Sequence, residues 1–247
     1  WKLTDQVVQV APCDGIYGGD GFPWYRFWAR PFVPNIGAIP EADRRYYEKH
    51  FLSHFNNPHN VDLGADMLWE MVSVEKCDES LRLFDTEVWG PLDQAIDLAN
   101  QAVDQSADEK TSNAVFVDLR DRLVAYRCFA TTIRNISAWI AGVHGYLKAD
   151  NEADKQSRLV MVQEMVANEL ANTKALLKLW ESSTVDFMPL NAYSETMHDY
   201  GVNFGEVLQQ KIALMEKYGD HLPYIDPNYM WRMPEGSAIS EEEYIGY

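Results

Sequence analysis

The sequence lacks the features that mark several large classes of protein. No apolar stretch approaches the roughly 18 residues that a membrane-spanning helix needs, and residues 1–30 lack the charged start and apolar block of a signal peptide. Basic residues are also few, 21 against 38 acidic ones, and the resulting net charge of −17 would repel a nucleic-acid backbone. We therefore expect a soluble protein that has neither a membrane nor a nucleic acid as its partner.

Cysteine is scarce as well. Cys13, Cys77 and Cys128 are widely spaced and odd in number, which argues against a disulfide framework and favours small buried hydrophobes. The chain has no GxSxG, no phosphate-binding glycine motif, no HExxH and no paired CxxC. Most well-marked enzyme classes are thus unsupported, no cofactor is predicted, and the sequence leaves open whether the chain is an enzyme.

What the chain does have is one very long helical segment. Proline is absent from Thr111–Leu147, and the only glycines there, Gly142 and Gly145, lie near its far end. At about 1.5 Å per residue, such a helix is about 55 Å long and must pack against partners along much of its length. Apolar side chains spaced by three and four residues mark its buried face, namely Phe116, Leu119, Leu123, Tyr126, Ala130, Ile133, Ile140 and Leu147.

The same spacing predicts three further helices. The first begins after Ser73, carries apolar residues from Leu81 to Val103, and should kink at Gly90–Pro91. The second begins at Asn151, whose side chain can cap the first turn. The third spans about Phe204 to Tyr218.

Short connections near residues 106–111 and 148–152 should make neighbouring helices antiparallel. The predicted fold class is therefore mostly α, an antiparallel helical bundle of three long helices and one shorter helix. We divide this compact chain into three parts. Residues 1–72 contain a single short strand at residues 6–13, an aromatic loop and two short helices. Residues 73–220 form the bundle, and residues 221–247 form an extended acidic tail.

The aromatic loop is the first candidate site. Between Asp14 and Arg30 it mixes carboxylates, arginines and aromatic rings, which include Asp14, Asp20, Trp24, Tyr25, Arg26 and Trp28. Flat aromatic faces can cover the apolar faces of a pyranose, while charged groups hydrogen-bond its hydroxyls, so the mixture is typical of sugar binding. The alternative is that the aromatic side chains plug the end of the bundle.

The second candidate site lies in the connection Ser182–Asn203, which is long for a compact fold and contains Tyr193, Glu195 and His198. Glu195 and His198 have the ExxH spacing of carboxylate-bridged metal bundles. Those sites need two such motifs and two further glutamates, and the sequence supplies only one motif. An acid and base pair in a cleft or a solvated loop are the alternatives that remain open.

The third candidate site is a histidine group. His50 and His54 lie four residues apart on a predicted helix and His59 follows, so the three could bind zinc or copper. Their aromatic surroundings equally favour a packing role, and no metal site is predicted.

A basic stripe on the long helix is the fourth candidate. It consists of Arg120, Arg127, Arg134 and Lys148, for which Asp93, Asp97, Asp104 and Glu164 are the expected partners. An anionic ligand such as a uronic acid is the alternative. Gly142 and Gly145 should allow a neighbouring backbone to approach the helix closely.

Three stretches of the sequence resemble a region of a known group of proteins. They are WARPFVPNIGAIPEADRRYYEKHF, NNPHNVDLGADMLWE, and NFGEVLQQKIALMEK followed by PYIDPNYMWR. They are similar to the C-terminal helical region of large bacterial proteins related to TIM-barrel glycoside hydrolases. The resemblance implies an N-terminal barrel that carries the catalytic carboxylates and a helical region that packs beside it. One predicted strand cannot build a barrel, so either the catalytic part lies outside this chain or the helical module acts alone.

We therefore expect a helical accessory or C-terminal module of a carbohydrate-active protein, whose partner is carbohydrate or the rest of a longer polypeptide. A protein–protein interaction module, with a possible oligomer, is the first alternative. A standalone metal-dependent enzyme that uses His50, His54 and His59 is the second. The start at Trp1 suggests a processed product or part of something longer, which leaves the compartment open between cytoplasmic and secreted.

Overall fold

A computed structural model of the protein describes residues 31–40, 42–43, 74–185 and 204–225. Within these ranges the chain is mostly helical and contains no β-strand, so the predicted helical class is confirmed. Several predicted segments lie outside the described part of the chain. They are the strand at residues 6–13, the aromatic loop before residue 31, the two short N-terminal helices apart from residues 42–43, and residues 226–247 of the acidic tail.

The helices have the bounds α1 Val74–Leu83, α2 Trp89–Gln105, α3 Lys110–Lys148, α4 Glu152–Ser182 and α5 Phe204–Tyr218. The longest of them, α3, has 39 residues and confirms the prediction from the proline-free run. A short 3-10 turn at Ile36–Ala38 precedes these helices. None of the helices in the described ranges has an apolar stretch that could span a bilayer.

The predicted interruption of the first long helix is present, but it lies one turn earlier than expected. Residues Phe84–Val88 form a π-helical turn that joins α1 to α2, and the segment continues through Gly90 and Pro91. Pro91 has no N–H to donate to the carbonyl four residues before it, at Glu87, and its ring crowds that carbonyl. Widening the helix before the proline accommodates both effects, since local π turns relieve such conflicts.

The predicted cap of α4 is confirmed. The Asn151 side-chain oxygen accepts a hydrogen bond from the Asp154 backbone N–H at 2.9 Å. The Asn151 amide in turn donates to the Asp154 carboxylate at 2.7 Å. This exchange satisfies one of the orphan N–H groups of the first turn and places a negative charge at the positive end of the helix.

The core lies along the C-terminal half of α3, which contacts α1, α2 and α4, while α4 also contacts α5. Phe32 and Val33, from the segment 31–40, are buried in the same core. The indole N–H of Trp139 donates to the Val33 carbonyl at 2.8 Å, and the Tyr224 N–H donates to the Pro34 carbonyl at 3.1 Å. The segment 31–40 is thereby fixed to α3 and to the chain that follows α5.

The glycines near the end of α3 permit close helix packing, as predicted. A Cβ atom added at Gly142 would lie 2.5 Å from Val162 Cγ2 on α4. One added at Gly145 would lie 2.7 Å from Nε of Arg158, whose guanidinium is paired with Asp78 on α1 at 2.6 Å. The close neighbour at these positions is therefore α4.

Candidate functional site

All nine predicted ligand-binding residues lie outside the described part of the chain, namely Asp14, Asp20, Trp24, Tyr25, Arg26, Trp28, Tyr193, Glu195 and His198. The same is true of His50, His54 and His59. Within the described ranges, no three His, Cys, Asp or Glu side chains lie close enough together to hold a metal ion. The structure instead draws attention to a surface groove and to a buried polar cluster beneath it.

The groove has a volume of about 560 Å³ and opens between the α1–α2 segment, α3 and α4. Its polar lining consists of Asp85, Arg127, Thr131, Arg134, Ser157, Glu164 and Asn168. Its apolar lining consists of Leu81, Trp89, Ala138, Val160, Met161 and Met165. The groove therefore places an aromatic side chain and aliphatic surface beside charged groups of both signs.

Asp85 is held on one wall by two donors. The Arg134 guanidinium binds both of its oxygens, with Nε 2.8 Å from Oδ1 and Nη2 2.9 Å from Oδ2. The Trp89 indole N–H donates to the same Oδ1 at 3.2 Å. The hydrogen bonds from Arg134, with its charge, lower the pKa of Asp85 against the opposing effect of burial.

The π turn places Asp85 in this position, since it lies within the widened segment and Trp89 is the first residue after it. π turns inside α-helices occur frequently at functional sites. Asp85 was not among the predicted partners of the basic stripe. The sequence signal that could have indicated Asp85 was its position four residues before Trp89, which stands directly before the Gly90–Pro91 pair.

Arg127, on the same wall of the groove, is held in place by an aspartate and an aromatic ring. Its Nε lies 2.5 Å from Asp93 Oδ1, and its Nη2 lies 3.4 Å from Oδ2. Its guanidinium carbon also lies 5.3 Å from the centre of the Trp89 ring, a cation–π contact. The predicted pairing with Asp93 is confirmed. Since Arg127 and Arg134 are seven residues apart, the two ion pairs are about 10.5 Å apart along α3.

The remaining predictions for the basic stripe need correction. Arg120 pairs with the adjacent Asp121 on its own helix, at 2.6 Å, and not with a neighbouring helix. Lys148, Asp97, Asp104 and Glu164 form no ion pair within the described ranges. Within the described ranges, the basic stripe therefore forms ion pairs with the α1–α2 segment only through Arg127 and Arg134, and both of these residues line the groove.

Beneath the groove lies a buried polar cluster centred on Glu169 of α4, whose exposed fraction is 0%. Its Oε1 accepts hydrogen bonds from Thr132 Oγ1, at 2.8 Å, and from Lys211 Nζ. Its Oε2 accepts one from Asn135 Nδ2 at 2.7 Å. Because both charges are paired and hydrogen-bonded, the cost of burying them is offset.

The cluster reaches the groove through one exposed residue. Asn135 Nδ2 donates to Asn168 Oδ1 at 3.0 Å as well as to Glu169, and Asn168 lines the groove. Asn135 Oδ1 is buried and has no hydrogen-bond partner among the described residues. The two acceptors around Nδ2 nevertheless fix the orientation of the amide, because turning it over would place its oxygen against two other oxygens.

The cluster holds segments together and leaves no reactive group open to solvent. Lys211 Nζ lies 5.2 Å from the centre of the Phe32 ring, so the pair joins α4 and α5 to the segment 31–40. Burial raises the pKa of the neighbouring Cys128 thiol to about 12, with a further contribution from the Glu169 charge that outweighs the opposite effect of Arg127. A thiol with this pKa is a poor nucleophile at neutral pH.

We did not predict this cluster from the sequence. Lys211 follows two glutamines in a predicted helix and resembles a solvated residue. The available signal was on α3, where Thr131, Thr132 and Asn135 stand among the apolar residues of the buried stripe. Polar side chains at buried positions require partners, and here the partners come from other helices.

The groove thus combines charged side chains, which can form hydrogen bonds, with aliphatic and aromatic surface. The buried cluster contacts the groove through the hydrogen bond from Asn135 to Asn168. No protein-family model, curated protein or solved structure matches this chain, so the contacts described above are the basis for inferring its function.

Proposed function

We propose that the chain is a helical accessory module of a carbohydrate-active protein and that the groove between the α1–α2 segment, α3 and α4 contacts glycan. The observation that carries the proposal is the arrangement of Trp89 between two ion pairs on one wall of the groove. Arg127 and Asp93 lie at one end, and Arg134 and Asp85 lie at the other.

This arrangement suits a sugar for two physical reasons. A pyranose presents C–H groups that pack on aliphatic and aromatic surface, which Trp89 and Met161 supply. Its hydroxyls both donate and accept hydrogen bonds, and charged donors and acceptors bind them more strongly than neutral ones. Because Asp85 and Arg134 already fix each other, less conformational entropy is lost when a ligand binds to them.

The wider proposal includes the arrangement of the whole chain. We propose that the helices form an antiparallel bundle of three long helices and one shorter helix. The two ion pairs support the antiparallel arrangement. Asp85 precedes Asp93 along the α1–α2 segment, whereas Arg134, the partner of Asp85, follows Arg127, the partner of Asp93, along α3. We further propose that the module belongs beside the barrel of a glycoside hydrolase-like protein, and that the aromatic loop from Asp14 extends the contact with glycan.

The test of the groove is affinity electrophoresis of the chain in gels that contain soluble polysaccharides. Trp89→Ala should abolish retention, because the ring contributes apolar contact and holds both Asp85 and Arg127. Tyr146→Ala is the matched control, since Tyr146 also carries a cation over its ring, Lys155 Nζ at 5.0 Å, but does not line the groove. Circular dichroism of each variant verifies that the helices persist.

Retention that survives Trp89→Ala, or that Tyr146→Ala weakens equally, would remove the groove from the proposal. The aromatic loop is tested separately by Trp24→Ala and Trp28→Ala in the same gels, where loss of retention is expected. Unchanged retention in those two variants would confine the contact to other parts of the chain.

A second candidate function is association with another copy of the chain through the outer surface of α2 and α3. Leu98 is 55% exposed, Val115 62% and Leu119 40%, so the prediction that Leu119 lies on the buried face of the long helix was wrong. Val115 and Leu119 lie four residues apart on α3. Exposed apolar side chains at this spacing are typical of a helix surface that packs against a partner. Sedimentation velocity tests this, since a monomer at all concentrations would contradict association, and Val115→Lys should abolish any dimer.

A further inference from the structure

The charged side chains that line the groove differ in whether they have an ion-pair partner in the described part of the chain. Arg127 and Arg134 each have an aspartate bound to two of their nitrogens, Asp93 and Asp85 respectively. Glu164, which extends from α4 into the same groove, forms no hydrogen bond or ion pair within the described ranges. Among the described residues that line the groove, the charge that no ion pair neutralises is therefore the negative charge of Glu164.

This distribution disfavours an anionic ligand. A ligand carboxylate at Arg127 or Arg134 would meet a positive charge that an aspartate already neutralises, because each guanidinium donates two hydrogen bonds to Asp93 or Asp85. It would also have to approach Glu164, in a protein whose net charge is −17. The uronic acid that the basic stripe suggested is thus opposed both by the local ion pairs and by the overall field.

A protonated amine meets the opposite conditions. It needs an acceptor that is not already engaged, and Glu164 supplies a carboxylate beside the aliphatic Met161 and the amide of Asn168, which lie three residues before it and four after it on α4. A hydrogen bond between ammonium and carboxylate is about twice as strong as a neutral one. The ion pairs of Asp85 and Asp93 can remain intact while such a ligand binds.

We propose that the groove selects a glycan that carries protonated amino groups and that Glu164 is the specificity-determining residue, which accepts a hydrogen bond from the ligand ammonium. This inference rests on the proposed function, since it names the class of sugar that the same groove takes. Glu164 discriminates by charge, whereas Trp89 and Met161 provide contact area that any pyranose can use.

The experiment compares three oligosaccharides of equal length by isothermal titration calorimetry at a pH where sugar amines are protonated. The first is an oligomer of glucosamine, the second is its fully N-acetylated form, and the third is a uronic acid oligomer. The glucosamine oligomer should bind most tightly. Glu164→Gln should weaken its binding about tenfold, equivalent to about 1.4 kcal/mol, and leave binding of the N-acetylated form within about twofold.

Glu181→Gln is the matched control. Glu181 is also exposed on α4 and changes the net charge by the same amount, but it does not line the groove. This variant should leave both affinities within about twofold, because a solvated charge beyond the Debye length of about 8 Å is largely screened. Thermal unfolding of both variants verifies that they are folded, as glutamine and glutamate have similar helix propensities.

The possible results separate this inference from the proposed function. If the N-acetylated or uronic acid oligomer binds as tightly as the glucosamine oligomer, or if Glu164→Gln leaves the preference unchanged, the inference is overturned and glycan binding stands. If none of the three oligomers binds the intact chain, the proposed function fails and the inference fails with it. A preference for the amine that Glu164→Gln removes and Glu181→Gln keeps is the supporting result.

Discussion

Lys211 on α5 donates a hydrogen bond to Glu169 on α4, and the two side chains are only 1% and 0% exposed. The pair is therefore a connection between two helices within the core. A second lysine and glutamate join the same two helices at the surface, Lys174 and Glu216, at 2.6 Å and with exposed fractions of 54% and 51%. The two pairs differ mainly in their burial, which makes them a matched comparison.

We predict that Lys211→Met lowers the free energy of unfolding by about 3–5 kcal/mol, since it leaves the Glu169 charge buried without its partner. Lys174→Met should lower it by less than about 1 kcal/mol, because an exposed pair is solvated and screened. Urea unfolding followed by circular dichroism measures both values. Equal effects of the two substitutions would contradict the importance of burial.

The double variant Lys211→Met/Glu169→Leu should recover part of the stability lost in Lys211→Met, since it removes the remaining buried charge. Recovery should be incomplete, because Thr132 loses its acceptor and Asn135 keeps only Asn168 of its two acceptors, and a buried donor left without a partner costs about 1–3 kcal/mol. The same urea experiment tests this, and a double variant less stable than Lys211→Met would contradict it.

Gly142→Ala should destabilise the protein by about 1–3 kcal/mol, because the added methyl group overlaps the Val162 side chain and forces α3 and α4 apart. Adding Val162→Ala should relieve the overlap and restore part of the loss. Gly90→Ala is the control, since apart from its chain neighbours its Cβ would meet nothing within 4 Å. It should change the stability by no more than about 1 kcal/mol, because the gain in helix propensity is opposed by the contact of the new Cβ with the ring of Pro91. Thermal unfolding midpoints of the three variants test the order.

His144 should make the protein sensitive to mild acid. Burial lowers its pKa from the ordinary value of 6.5, and the charge of Lys148 adds to the effect. As the pH falls below 6.5, the unfolded chain gains a proton at this site before the folded chain does, so stability decreases until the pH reaches the lowered pKa. Above pH 6.5, His144 does not change the free energy of unfolding, because its side chain is neutral in both the folded and the unfolded state.

The variant His144→Gln should therefore lose less stability between neutral pH and mildly acidic pH than the parent protein, measured by urea unfolding at each pH. Lys148→Gln should give an intermediate slope, because it removes the smaller of the two causes and leaves burial. Titration of the His144 ring by NMR tests the pKa itself, and a value at or above 6.5 would contradict the account.

The thiols of Cys77 and Cys128 should be inert in the folded protein. Both are buried, and the pKa of Cys128 is raised to about 12, so very little thiolate is present or accessible. In a Cys13→Ser background, a chromogenic disulfide reagent should label neither thiol until denaturant unfolds the chain. Labelling of the native protein within minutes would show that the core around Cys128 opens readily.

Some of these features followed directly from the sequence. The absence of proline and the spacing of apolar residues predicted α3, and the cap at Asn151 and the bounds of α5 were also correct. Each depends on interactions between residues a few positions apart, such as a side chain that satisfies a nearby N–H or a stripe that repeats every turn. Such local preferences can be recognised without knowledge of the rest of the fold.

The groove and the buried cluster could not be predicted in this way. Asp85 and Arg134 are separated by 49 residues, and Glu169 and Lys211 by 42. Which of many carboxylates meets which cation depends on the register and rotation of packed helices, and a π turn of five residues alters both for Asp85. A lysine in a polar stretch such as that around Lys211 gives no local sign of burial.

The sequence by itself thus determined where the helices of the described ranges form and which faces are apolar, because backbone hydrogen bonding, capping and periodicity act over short distances. Only the tertiary structure decided which charged groups pair, which are buried and which, like Glu164, face a groove without an ion-pair partner in the described ranges. The physical reason is that electrostatic and packing energies depend on distances between atoms of different helices, and those distances are set only when the helices assemble.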